Sequence, residues 1–266
     1  MDATVGGISF KRMVQVLREG ETVRIQGDAG SRLGSSLGVD LMRLGGKGGP
    51  IEQTGRIIVD GDAGSHMGIS MLRGAIYVSG RVMLPLGNVV EVESELSGYK
   101  KFVSVTEALE KDLAVLPPNE ISEKGLAIKD GLIRDTLGAR NPTKKSLLLG
   151  GDAGMSTGIL MGSGSIEVDG DSGANTGVLM QGGRIVIRGG TGDFTGAEMR
   201  AGEIIIEGDA GSFACARMKG GEVYARQGKC LPPARMCSPD GGEQAMLSRS
   251  LKIPLLHAMM YKKFSL

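Results

Sequence analysis

Two serines lie in a sequence pattern that hydrolases use. Residues 34–38 and 154–158 both match Gly-x-Ser-x-Gly, with Ser36 and Ser156 at the centre. In hydrolases this pattern forms a sharp strand-to-helix turn that exposes the serine to a histidine base. Neither stretch is predicted to have that context, and a chain so rich in glycine contains chance matches. An esterase-like hydrolase therefore stays an alternative.

Few side chains are available for acid–base or metal chemistry. The chain has two histidines, His66 and His257, and three cysteines. Cys230, Cys237 and His257 could supply three metal ligands, although their spacing matches no known zinc pattern. Cys215 replaces the glycine of neighbouring repeats, so we expect it to be packed. We therefore predict no catalytic residue, no metal ligand and no cofactor bound by this chain.

Five aspartates recur at one repeat position and raise the question of a calcium site. They are Asp28, Asp62, Asp152, Asp171 and Asp209. Calcium-binding solenoids use a denser nonapeptide motif. Each aspartate follows a glycine at an expected bend, where a short carboxylate can bond to nearby backbone. We therefore assign these aspartates a structural role.

The repeat that carries these residues runs over residues 151–226 with a period of nineteen. Its glycines and methionines keep that spacing in four copies: Gly151, Gly170, Gly189 and Gly208, and Met161, Met180, Met199 and Met218. A fixed period of this length is the signature of a solenoid.

Each repeat also contains a short run whose first and third residues are apolar. These residues are Ile166, Ile185, Ile204 and Val223, and Val168, Ile187, Ile206 and Ala225. Alternate residues of a strand point to the same side, so both sets should face a core. Helices are disfavoured because each interior glycine costs about 1 kcal/mol. The repeat therefore predicts an all-β fold, a parallel β-helix whose coils rise about 4.8 Å each.

Composition fits a narrow core and excludes several classes of protein. Of 266 residues, 45 are glycine and 3% are aromatic, which suits small and branched core side chains. A net charge of +1 gives no case for nucleic acid or an anionic membrane. Three cysteines make no disulfide framework. No signal peptide and no apolar run near 18 residues is visible. We expect a reduced, soluble, cytoplasmic protein.

The repeat pattern divides the chain into five predicted segments. They are an N-terminal cap (1–22), coils (23–80), an insertion or modified coils (81–146), further coils (147–227) and a C-terminal cap or tail (228–266). About eight coils are expected, with strands starting at Val23, Ile57, Ile76, Leu147, Ile166, Ile185, Ile204 and Val223. Apolar spacing predicts a helix over residues 8–20. Further helices are expected over residues 106–116, ended by Pro117 and Pro118, and over residues 243–249.

The middle position of each strand should face solvent, yet six of these positions hold large apolar residues. They are Ile58, Tyr77, Leu148, Val186, Ile205 and Tyr224. A contiguous exposed apolar stripe usually marks a contact surface. We predict that these six residues form an interface with a partner protein or a second copy. The alternative is that the insertion or the tail covers them within the same chain.

The repeated Gly-Asp-Ala-Gly, Met, Gly-Gly and Ile-Ile-Val units resemble a Gly-rich β-helix domain shared by two groups of proteins. One is the C-type subunit of formylmethanofuran dehydrogenase, with its relative in the bacterial formyltransferase/hydrolase complex. The other is the carboxy-terminal domain of the large glutamate synthase subunit. Chain length and a stand-alone architecture are more similar to the formylmethanofuran dehydrogenase group. The break at 81–146 and the tail containing Cys and Met depart from that group.

This resemblance implies a right-handed β-helix that holds catalytic subunits together. In the formylmethanofuran enzyme, partner subunits reduce CO2 and transfer the formyl group to methanofuran. Those partners carry the cofactors, a molybdenum or tungsten pterin, zinc and iron–sulfur clusters. The resemblance therefore implies a non-catalytic scaffold in C1 metabolism. A scaffold of a glutamate-synthase-type amidotransferase is a further alternative, differing only in its partners.

Overall fold

The computed structural model describes residues 4–5, 7–42 and 45–266. The chain forms two compact units, Met1–Leu116 and Pro117–Leu266. Each unit contains a stack of parallel strands, and this confirms the predicted parallel β-helix.

The first unit contains three parallel strands with antiparallel strands added at one edge. Its elements are β1 (Thr4–Val5), β2 (Ile8–Ser9), α1 (Phe10–Arg18), β3 (Thr22–Gln26), β4 (Arg56–Asp60), β5 (Ala75–Val78), β6 (Val89–Val92), β7 (Lys100–Ser104) and α2 (Val105–Lys111). The sheet order is β3-β4-β5-β7-β6, in which β3, β4 and β5 are parallel. Strand β7 pairs antiparallel with both β5 and β6. It therefore covers the edge at which a further coil would otherwise add.

The second unit contains six parallel strands, β9 to β14, in one sheet. Its elements are β8 (Glu120–Ser122), β9 (Gly125–Ile128), β10 (Ser146–Leu149), β11 (Ser165–Val168), β12 (Arg184–Ile187), β13 (Glu203–Ile206), β14 (Glu222–Ala225), β15 (Arg235–Cys237), α3 (Gly241–Leu251), α4 (Leu255–Ala258) and β16 (Lys262–Ser265). Antiparallel strands close both edges, because β8 pairs with β9 and β16 pairs with β14.

The predicted register is observed along the second stack. Leu147, Ile166, Ile185, Ile204 and Val223 are successive cross-strand partners, and all are fully buried. The four methionines of the repeat are also buried, at 0–1% exposure. Like side chains therefore stack in ladders inside the coils, as the nineteen-residue period requires.

One parallel strand was not among the eight predicted starts. Strand β9 lies within residues 81–146, and its Leu126 pairs with Leu147. The separation is 147 − 126 = 21 residues, whereas Leu147 to Ile166 is 166 − 147 = 19. This coil is two residues longer than the next one, so a search for a fixed period of nineteen does not detect strand β9.

Helices occur in all three stretches where they were predicted, as α1, α2 and α3. Helix α3 begins with a capping box in which Asp240 and Glu243 bond each other's backbone N–H. The expected stop for α2 was wrong, because it ends at Lys111, before the two prolines at 117–118. Its C-cap, Asp112, takes a left-handed conformation with φ of 53°.

The repeated aspartates have the structural role assigned to them, but their bonds reach the next coil. The Oδ1 atom of Asp28 accepts from the backbone N–H of Asp62 at 2.8 Å. Asp152 accepts in the same way from Asp171 at 2.8 Å, and Asp171 from Gly190 at 2.7 Å. Each carboxylate therefore ties one bend to its copy in the following coil.

At four of these bends, the glycine at the position before the aspartate makes room for the carboxylate of the preceding coil: Gly61, Gly80, Gly170 and Gly189. A Cβ atom on Gly170 would lie 2.0 Å from Asp152 Oδ1, and one on Gly189 would lie 2.0 Å from Asp171 Oδ1. Real Cβ atoms do not approach so closely. The carboxylate of one coil therefore requires a glycine in the next coil, which explains why glycine and aspartate recur together.

We expect Gly189→Ala to lower the free energy of unfolding by about 1–3 kcal/mol, because overpacking displaces the Asp171 carboxylate and neighbouring backbone. Gly162→Ala is the matched control in the same unit, since the only atom near its Cβ would be Asn141 O at 3.6 Å. That control should change stability by less than about 0.5 kcal/mol. Urea unfolding measures both values. Equal stabilities would contradict the packing role of Gly189.

Candidate functional site

The two Gly-x-Ser-x-Gly matches form coil bends. Ser36 and Ser156 both have positive φ, 57° and 60°. The equivalents of Ser156 in the next coils, Asn175 and Phe194, share that conformation at 64° and 62°. Both serines lie within runs of turn residues, and further turn residues, not a helix, come directly after each one. The strand–turn–helix context of a hydrolase elbow is therefore absent at both serines.

The cysteines and the tail histidine do not come together as a metal site. Cys237 and His257 are exposed, on β15 and α4, while Cys230 Sγ lies 3.6 Å from the carbonyl of Ala234. Among the residues that the structure describes, no group of three His, Cys, Asp or Glu side chains is arranged to hold a metal ion. Cys215 is buried, as expected. Burial, with a smaller effect from Cys230, raises the pKa of the Cys215 thiol to about 12.

Three of the six predicted interface residues are buried by the C-terminal segment of the chain. Val186 is 8% exposed, and Ile205 and Tyr224 are fully buried. They form the C-terminal cluster with Leu247, Leu251, Ala258 and Tyr261. The predicted exposed stripe is therefore wrong here, because α3, α4 and Tyr261 cover it.

The first unit covers Ile58 and Tyr77 within the chain, at 7% and 2% exposure. Tyr77 pairs across β5 and β7 with Lys101, and its hydroxyl donates to Glu95. Leu148 alone of the six stays substantially exposed, at 45%. For the other five residues the internal-cover alternative is correct.

Strands β7 and β16, which pair with the last parallel strand of each unit, both overlap the same four-residue motif. This motif was not among the predicted features. Residues 99–102 and 261–264 both read Tyr-Lys-Lys-Phe. The second lysine lies opposite the outward tyrosine of the last parallel strand, as Lys101 with Tyr77 and Lys263 with Tyr224. The two ammonium groups lie 5.6 and 5.9 Å from the centres of those rings, at cation–π distance. We call each of these antiparallel strands, with its lysine over the tyrosine, a cap. The repeated tetrapeptide is the sequence feature that could have predicted two equivalent caps.

A glutamate completes each cap. Glu95 accepts from Tyr77 and Lys101, and hydrogen bonds from Lys101 and then Tyr77 lower the pKa of Glu95 to about 2. Burial would raise the pKa of Glu243, but hydrogen bonds from Lys263, from backbone and from Tyr224 bring it below its usual value. These carboxylates stay ionised at neutral pH and hold the caps, so the clusters are built for stability.

Four exposed apolar residues of the second unit lie close together in sequence, on and beside α4. Leu255, Leu256, Met259 and Met260 are 53%, 71%, 56% and 69% exposed, and we call them the α4 patch. Two residues beside these four are buried, since Ala258 is 0% and Tyr261 1% exposed. The hydroxyl of Tyr261 donates to the carbonyl of Glu207 at 3.0 Å. The buried residues Ala258 and Tyr261 therefore hold the α4 patch in place on the second unit.

Comparisons with known proteins identify relatives without a described role. No protein-family model matches the chain. A protein of Methanothermobacter thermautotrophicus (strain Delta H), described as an uncharacterized protein, is 46% identical over 170 residues. The match covers 63% of this chain and 55% of that protein, so the chain spans about half the length of its relative.

Among solved structures, the formyltransferase/hydrolase complex (FhcABCD) from Methylorubrum extorquens in complex with methylofuran aligns with this chain. The alignment covers 87% of this chain and 58% of that chain, with 22% identity and a TM-score of 0.33. The parallel β-helix is therefore established by the strand pairing of this chain and not by that alignment. In the described part of the chain, no helix has the length and apolar character needed to cross a membrane.

Proposed function

We propose that this chain is a non-catalytic β-helix scaffold subunit of a cytoplasmic complex in C1 metabolism that resembles formylmethanofuran dehydrogenase. The resemblance of its Gly-rich units to the C-type subunit of that enzyme supports this assignment. In this proposal CO2 reduction and formyl transfer to methanofuran belong to partner subunits. Those partners also hold the molybdenum or tungsten pterin, the zinc and the iron–sulfur clusters.

The observation that carries the proposal is the α4 patch. Four large apolar side chains within six residues stay more than half exposed, which is typical of a contact surface. Methionine suits such a surface because its flexible thioether adapts to a partner. Full burial of each Leu or Met side chain contributes about 1.5–3 kcal/mol. The buried support of Ala258 and Tyr261 lowers the ordering cost of binding.

Purification of the tagged chain from its native cells tests the scaffold role. We expect amidohydrolase-like or pterin-containing subunits to co-purify. The double variant Leu256→Asp with Met260→Asp should lower their recovery at least tenfold, because two charges then face an apolar partner surface. Met83→Asp is the control, since Met83 is 56% exposed in the other unit. Circular dichroism should show unchanged folding in both variants.

The identity of the co-purifying subunits distinguishes the proposal from its alternatives. Glutamate synthase subunits would assign the chain to an amidotransferase, and only further copies of the same chain would make it a homo-oligomer. Recovery of a monomer with no partner would contradict the scaffold role.

A further inference from the structure

A cavity of about 470 Å³ lies between α1 and the first coil of the first unit. Apolar side chains form most of its wall, including Met13, Val14 and Leu17 from the helix and Val23 and Ile25 from β3. Small-molecule sites in proteins typically measure about 300–1,000 Å³ and are mostly apolar with a few polar groups. The cavity therefore has the size and character of a ligand site.

Helix α1 does not fill the space beneath it. It presents Phe10, Met13, Val14 and Leu17 toward the coil, yet none of its nine residues is buried. By contrast, α3 buries Leu247 and Leu251 against its own sheet. An apolar ligand in the cavity would bury the apolar face of α1, as is usual for an amphipathic helix.

Two polar groups in the wall favour an occupant with a polar end. The buried Oγ1 atom of Thr54 lies within hydrogen-bond distance of no partner among the described residues. Arg32 forms no ion pair in the described part of the chain, whereas Arg18 is paired with Asp40 at 3.0 Å. The carboxylate of Asp28, also in the wall, accepts the Asp62 N–H. Arg32 is therefore a cation available to an anionic group.

We propose that this cavity binds a fatty-acid-type amphiphile, with its alkyl chain beneath α1 and its carboxylate at Arg32. The apolar wall excludes a strongly polar ligand because such groups lose their hydration without replacement bonds. A guanidinium binds a carboxylate through charge-assisted hydrogen bonds. This binding site is independent of the scaffold role and of the α4 patch.

Calorimetric titration of the full chain with laurate, below its micelle concentration, tests the cavity. We expect saturable binding of one laurate per chain. Val14→Trp fills the cavity and should lower the affinity at least tenfold. Lys11→Trp is the matched control on the exposed face of the same helix and should bind as the unmodified chain does. Because the chain has no tryptophan of its own, emission from the Val14→Trp variant should be blue-shifted relative to emission from the Lys11→Trp variant.

A second pair of variants tests the head-group contact. Arg32→Ala should lower laurate affinity about fivefold and leave the affinity for neutral dodecanol unchanged. Arg12→Ala, on the exposed side of α1, should change neither. Equal losses for laurate and dodecanol would contradict the contact with Arg32.

Two results would overturn the proposal. One is the absence of saturable laurate binding to the unmodified chain. The other is unchanged binding by Val14→Trp, or by the smaller Val14→Phe if the tryptophan variant does not fold. Thermal melts monitored by circular dichroism establish which variants are folded.

Discussion

Ile205→Asp is expected to lower the free energy of unfolding of the second unit by more than about 4 kcal/mol. Ile205 is fully buried within the C-terminal cluster, between Val186 and Tyr224 on neighbouring strands. A carboxylate there loses its hydration and meets apolar side chains from α3 and Tyr261. Burial of an unpaired charge is among the few mechanisms that give losses this large. If Ile205 lay in an exposed apolar stripe that binds a partner, Ile205→Asp would instead leave the fold intact and release the partner.

Leu148→Asp is the matched control for this substitution. Leu148 occupies the same middle position of its strand but is 45% exposed. We expect a change of less than about 0.5 kcal/mol, because the new carboxylate stays hydrated. Urea unfolding followed by circular dichroism measures both variants. Similar stabilities for the two would show that α3 and the tail do not cover Ile205 in solution.

The parallel stack was predictable because its signal is local and repeated. A ladder such as Ile166, Ile185 and Ile204 requires the same residue type at the same spacing in every coil. Glycine and aspartate recur together for a related reason, since the bend of one coil must accommodate the carboxylate of the previous one. The physical constraint therefore appears directly as a sequence period.

The caps were not predictable in this way, because each pairs one strand with a segment far along the chain. Tyr77 lies opposite Lys101, and Tyr224 lies opposite Lys263, in antiparallel pairs that no period encodes. Whether the outer face of a strand is exposed depends on those pairs. The predicted interface failed at five positions for this reason, while the strand positions themselves were correct.

A second large effect is expected at a buried ion pair near the start of the second stack. The side chain of Arg134 is 1% exposed, and it bonds Asp130 through Nη1–Oδ1 at 2.8 Å and Nη2–Oδ2 at 2.5 Å. We expect Asp130→Ala to lower the free energy of unfolding by about 3–5 kcal/mol, because it breaks a bidentate ion pair with a buried guanidinium. Urea unfolding at pH 7 measures the loss.

The exposed pair of Lys129 and Glu120 provides the control for this loss. Its nitrogen and oxygen are 2.8 Å apart, but the side chains are 51% and 68% exposed. Glu120→Ala should therefore cost at most about 1 kcal/mol, since surface ion pairs are weak and screened by salt. A cost for Asp130→Ala as small as this would contradict the role of burial.

The effect of Asp130→Ala should also depend on pH in a direction fixed by the pKa of Asp130. Burial alone would raise that pKa, but the hydrogen bonds and charge of Arg134 bring it below its ordinary value of 3.8. A carboxyl group with a lowered pKa in the folded state contributes stability above the unfolded pKa, and loses it as the pH falls through the folded value. The difference in unfolding free energy between the two proteins should be constant above about pH 5 and should shrink toward about pH 3. A difference that stays constant over that whole range, in a chain that is still folded, would show that the charge on Asp130 is not what stabilises Arg134.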